Sequence, residues 1–121
     1  MRKQFAKTTQ EILVQDKKTI LLLGDIGVFA FRNSFELYPE RVYNIGILEQ
    51  SMVSVAAGLA LTGFIPIVHT IAPFTTERCL EQIKDDFGYQ GLGGNIVSVG
   101  ASYDYAALGC THHCRATCRL S

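Results

Sequence analysis

The chain has 121 residues, enough for one domain, and its 11 basic and 11 acidic side chains cancel to a formal net charge of zero. The two signs are interspersed, which leaves no basic footprint for nucleic acid or an anionic membrane. The N-terminal MRKQFAKTTQEILVQDKK lacks the apolar core of a secretory signal, and the four cysteines then read as reduced thiols, so a soluble cytoplasmic domain is expected.

Residues 3–15 place Phe5, Thr9, Ile12 and Leu13 at helical spacing among charges, the pattern of an amphipathic helix. TILLLG (19–24) is a short apolar run closed by Gly24 and Asp25, as in a strand buried on both faces. A loop and a short helix stopped by Pro39 follow, and then RVYNIG (41–46) as a second strand. Residues 48–61 are apolar on almost every side, with small residues at Ser54, Ala56, Ala57, Gly58 and Ala60, which predicts a buried helix open to close packing. FIPIVHTI (64–71) is a third strand. Thr75 or Thr76 is expected to cap a helix to about Phe87, striped by Leu80, Ile83 and Phe87. GYQGLGG is a turn and NIVSVGAS a fourth strand; Gly91, Gly93 and Gly94 follow a helix and precede a strand, the reverse of a phosphate loop. Residues 50–76 carry no formal charge, but Gly58, Gly63, Pro66, His69 and Pro73 divide them into two short buried elements, not a membrane span.

Strands alternating with helices imply an α/β fold: a mostly parallel sheet with helices on both faces. Ligands of such folds bind beyond the carboxyl ends of the strands, where Asp25, Gly46, Thr70, Ile71 and Phe74 fall. Glu49, alone within an apolar run, belongs to the same rim. By local sequence it is a first-turn carboxylate favoured by the helix dipole. Phe74 by the same standard is core, and His112 is a polar residue near the chain end.

A longer pattern changes that reading. GDIG, then YNIGILEQSMVSVAAGLALTGFIPIVHTIAPF, then ERCLEQIKDD, NIVSVGAS and GCTHH, from about Thr19 to His113, resemble the pyrimidine-binding domain of the transketolase family. Deoxyxylulose-phosphate synthases share this skeleton and are the close alternative. The resemblance implies the thiamine-diphosphate-binding fold, and a reaction that moves a two-carbon ketol unit between sugars, sugar phosphates included.

It also implies roles. Glu49 matches the glutamate that hydrogen-bonds N1′ of the aminopyrimidine, and a proton shared there favours the tautomer that deprotonates the thiazolium C2. Such a carboxyl must be able to hold a proton near neutral pH, which desolvation favours, and Ile45, Ile47, Leu48 and Met52 supply apolar neighbours in sequence. Phe74 matches the aromatic that stacks on the pyrimidine. His112 matches a histidine that contacts the sugar or its intermediate, and Asp25 and Ile26 match a segment approaching the cofactor. Mg²⁺ and the diphosphate are expected on a missing half, held as a subunit or domain in a homo- or hetero-oligomer; no metal ligand is assigned to this chain.

Two departures stand out. Leu108 takes the place of the acidic residue that usually precedes the Gly-x-Thr-His element. After His113 the family's further fold elements are replaced by CRATCRLS, so the domain is expected to be incomplete from about residue 113, by truncation or frameshift. A non-catalytic chain that only associates with partners is then an alternative. So is a metal-binding module built on Cys110, His112, His113, Cys114 and Cys118, although their spacing lacks a second ligand pair.

Overall fold

The computed structural model describes residues 1–114. Its elements run α1 (Arg2–Gln15), β1 (Thr19–Leu23), α2 (Arg32–Leu37), β2 (Val42–Asn44), α3 (Glu49–Leu61), β3 (Ile65–Ile71), α4 (Ala72–Thr76), α5 (Leu80–Gln82) leading into a π-helical turn (Ile83–Tyr89), and β4 (Asn95–Val99). The four strands form one sheet in the order β2-β1-β3-β4, every pair parallel. The α/β architecture expected from the sequence is the one observed.

The period-two alternation of β1 builds both cores at once. Ile20 and Leu22 join Met52, Val53, Ala56 and Ala57 of α3, together with Val68, Cys79 and Phe87. Leu21 and Leu23 point the other way and pack with Ala6 and Leu13 of α1, Phe31, Val42 and Ile67. All five β1 residues are buried, as a central parallel strand covered on both faces requires.

Two expectations are corrected. The helix from 48 to 61 is not enclosed on nearly every side: α3 buries Glu49, Met52, Val53, Ala56 and Ala57, while Val55 and Leu61 are 47% and 66% exposed. The sheet covers one side of α3 and the segment from Cys79 to Phe87 packs beside it, while Val55 and Leu61 stay open. Nor do Thr75 and Thr76 cap a helix. The chain turns helical at Ala72 with Pro73 in the first turn, a position where its missing N–H costs nothing. The Thr75 and Thr76 hydroxyls instead donate back to the Ile71 and Ala72 carbonyls. No described helix is long and apolar enough to cross a membrane.

Candidate active site

The carboxyl ends of β1, β2 and β3 meet α3 and α4 around a cavity of about 150 Å³ lined by Gly24, Asp25, Ile26, Ile47, Glu49, Thr70, Ile71, Phe74 and His112. All five candidate residues, Glu49, His112, Phe74, Asp25 and Ile26, thus share one wall system. Larger grooves of about 480 and 570 Å³ run along α1 and β4, around Phe5 and Val97, on the opposite face of the sheet from α3. They hold no buried carboxylate, and the smaller cavity is the better candidate on its chemistry.

Asn44, the last residue of β2, fixes the rim. Its side-chain oxygen accepts from the backbone N–H of Asp25 at 3.0 Å and of Gly46 at 3.2 Å, and its amide donates to the Asp25 carboxyl at 3.1 Å. Asp25 is held in the left-handed region (φ 59°), a strained conformation for a side chain with a Cβ and one that Asp tolerates through such local bonds. The chain then passes Gly46, also at positive φ (82°), and enters α3 at Glu49.

Glu49 is 2% exposed. Thr70 Oγ1 lies 3.3 Å both from its Oε1 and from the Gly24 carbonyl, a shared donor at the β1–β3 junction. Arg78 Nη1 lies 2.6 Å from Oε2. The surroundings therefore differ from the expected apolar ones. Ile47 and Leu48 are largely exposed, Met52 alone of the four sequence neighbours is fully buried, and a hydroxyl and a guanidinium hold the carboxylate. A buried carboxylate needs such partners, because an unpaired one is strongly disfavoured in a desolvated site.

Phe74, half-buried in α4, connects the remaining groups. The Arg78 guanidinium lies over its ring, 4.1 Å from the centroid, and the His112 ring meets it edge-on at 5.1 Å and 75°. His112 ends a tight turn at Cys110–His112, with its Nδ1 3.0 Å from the Thr111 hydroxyl. Cys79, fully buried, donates its thiol to the Phe74 carbonyl at 3.0 Å. Burial pushes that thiol up to about 11, aided by the charge of Glu49 and opposed by Arg78.

Sequence reasoning missed Arg78 and Asn44. Arg78 lies in the turn that follows α4, four residues after Phe74, and its charge next to Glu77 in an otherwise apolar stretch was its only signal in the sequence. For Asn44 the only signal in the sequence is its place at the end of a strand, two residues before Gly46. Among the described residues no group of three or more His, Cys, Asp or Glu side chains could hold a metal ion, and Cys118 lies outside them.

Residues 1–120 match the family described as transketolase, pyrimidine binding domain. The chain belongs to that family. It is 44% identical over 108 residues (89% of this chain, 35% of the relative) to an uncharacterized 33.6 kDa protein in the fasciation locus of Rhodococcoides fascians. It is 35% identical over 113 residues (93% and 36%) to one subunit of the apulose-4-phosphate transketolase of Phocaeicola vulgatus. A solved structure described as a split gene transketolase, inactive beta4 tetramer, superposes with a TM-score of 0.72 at 32% identity, covering 82% of this chain and 33% of that one. The chain thus spans about a third of the length of the proteins it matches.

Proposed function

We propose that this chain supplies the pyrimidine side of a thiamine-diphosphate site in a transketolase-type transferase, completed by a diphosphate-binding subunit or domain. The observation that carries the reading is Glu49, a carboxylate 2% exposed at the wall of a cavity whose other sides include Ile26, Ile47, Ile71 and the Phe74 ring. A flat heterocycle with a basic ring nitrogen fits that donor and acceptor set: apolar walls for its faces, an aromatic to stack on, and one acid–base group in reach.

Transketolases and deoxyxylulose-phosphate synthases are thiamine-diphosphate enzymes, and membership of the pyrimidine-binding family supports that cofactor. When bound, the cofactor supplies the nucleophilic carbon that carries the transferred ketol unit. Glu49 would share a proton with the pyrimidine ring nitrogen, held by Thr70 on its Oε1 and by Arg78 on its Oε2. Phe74 orients the ring. Asp25 and Ile26 close the rim, and His112, edge-on to Phe74, can donate to a sugar oxygen. Mg²⁺ and the diphosphate belong with the partner, since Mg²⁺ is held by carboxylate, carbonyl and phosphate oxygens together. Leu108, which stands where the family usually carries an acidic side chain, would alter the contacts to sugar hydroxyls and hence the choice of sugar.

One relative is named as a transketolase subunit and the solved neighbour is described as split-gene, and both support a partner subunit. Mixing the chain with a diphosphate-binding subunit, Mg²⁺ and thiamine diphosphate tests the proposal. Ketol transfer should require both chains. A stable two-chain assembly that retains no cofactor would overturn it.

A further inference from the structure

Arg78 is not among the residues that line the cavity, yet it touches the two side chains on which the proposed chemistry depends. Its Nη1 is 2.6 Å from Glu49 Oε2, and its guanidinium carbon is 4.1 Å from the centre of the Phe74 ring. Glu49 sits at the start of α3 and Phe74 in α4, on elements that enter the site from different strands. One planar cation therefore joins a carboxylate and an aromatic ring of the cavity wall. From this geometry we infer that Arg78 is a positioning residue that sets the relation of the Glu49 carboxylate to the Phe74 ring.

The physical case has three parts. A guanidinium offers an edge of N–H donors and a flat face at once, so it can bond a carboxylate and stack on a ring in a single rotamer; an ammonium cannot do both. The Glu49 oxygens have separate anchors, Thr70 on Oε1 and Arg78 on Oε2, which fixes the carboxylate plane as well as its location. The Arg78 side chain is 39% exposed, against 2% for Glu49, so its contribution to the core is small and its contacts are directed at these two groups. Phe74 itself is only half-buried, and the Arg78 face contact and the His112 edge contact are its ring partners.

The inference deepens the proposed function and rests on it for its consequence, although the positioning can be read without ligand. The test uses the full chain with Arg78→Met and Arg78→Lys, checked for folding by thermal melts; it follows the Phe74 ring resonances by NMR in the ligand-free chain, and then during titration of thiamine diphosphate and Mg²⁺ into its assembly with the diphosphate-binding half. In Arg78→Met the ring resonances of the ligand-free chain should shift, and affinity should fall by about tenfold, the scale of a lost cation–π contact at a partly desolvated site. Arg78→Lys, which keeps the charge without the flat face, should fall between. When Phe74 is already Ala, adding Arg78→Met should cost less than it does in the wild type, because the ring contact is already gone and only the Glu49 bond remains to be lost. Unchanged ring resonances in both Arg78 variants would overturn the positioning role. If titration of the wild-type assembly moves no cavity residue, the cofactor reading fails, and the ligand-free ring signals still decide for or against Arg78. Losses from Arg78→Met and Phe74→Ala that simply add would also contradict the inference.

Discussion

A Cβ on Gly24 would lie 2.9 Å from both Cβ and Oγ1 of Thr70, so these two residues interlock where β1 and β3 end. Real Cβ atoms do not approach so closely, and Thr70 is fully buried with no room to retreat. Its hydroxyl is the one that holds Glu49 Oε1. The glycine after the first strand therefore serves the site by letting Thr70 reach the carboxylate.

Gly24→Ala should destabilise the chain by about 1–3 kcal/mol, the range for overpacking a close-packed core. Thr70→Val, nearly the same shape without the hydroxyl, should cost a similar amount, because the Gly24 carbonyl and Glu49 Oε1 both lose a donor. Denaturant midpoints of the two variants check this. Wild-type stability in either would mean that the junction is looser than described.

His69 gives the fold a pH dependence. Its ring is 3% exposed, with Nδ1 2.7 Å from the Val97 carbonyl and the ring stacked near Phe5. Burial pulls its pKa below the ordinary 6.5; the Val97 bond opposes this and the Arg2 charge adds to it. The unfolded chain therefore binds a proton at a higher pH than the folded one. The contribution is fully present above 6.5 and is lost as the pH falls through the lower folded value. Urea midpoints should drop on acidification below 6.5, and less so in His69→Gln, which keeps a donor for Val97. Parallel pH profiles for both proteins would contradict the assignment.

Cysteine reactivity reads the packing around the site. Cys79 is fully buried, with a thiol pushed up to about 11, whereas Cys110 is exposed. In the native chain an alkylating reagent should modify Cys110 well before Cys79, and the difference should vanish in denaturant. Equal native rates at the two positions would place Cys79 outside the core.

Much of this was legible in the chain. TILLL and IPIVHTI read as central strands because their apolar runs end sharply, and parallel strands gather their carboxyl-end residues on one rim. Asp25, Ile26, Glu49, Phe74 and His112 meet there for that reason. The contacts that organise the rim were less legible, since the Arg78–Glu49 pair joins the first residue of α3 to the turn between α4 and α5 and depends on how these two elements meet in space. Thr75 and Thr76 could be caps or could bond back along the helix; the choice turned on Pro73, whose place in the first turn moved the helix start to Ala72. The open side of α3 reflects which elements pack against it, which its own composition does not state.

Phe74→Ala should weaken binding of thiamine diphosphate by roughly 1 kcal/mol or more, and should affect folding less. The ring is only half-buried, and its partners, Arg78 and His112, are themselves partly open to solvent. Calorimetry beside thermal melts separates the two effects. A variant that unfolds while its folded fraction binds normally would make Phe74 a core residue.

Glu49 is the residue on which the functional account turns, as the buried carboxylate at the cavity wall. In an assembly with the diphosphate-binding half, hydrogen–deuterium exchange at C2 of the bound cofactor measures its role without reference to any sugar. Glu49→Gln keeps the shape and removes the acid–base function, and should slow that exchange by about 10²- to 10⁴-fold, the usual contribution of a positioned acid–base group. Exchange at the wild-type rate in a folded, cofactor-loaded Glu49→Gln assembly would contradict the account.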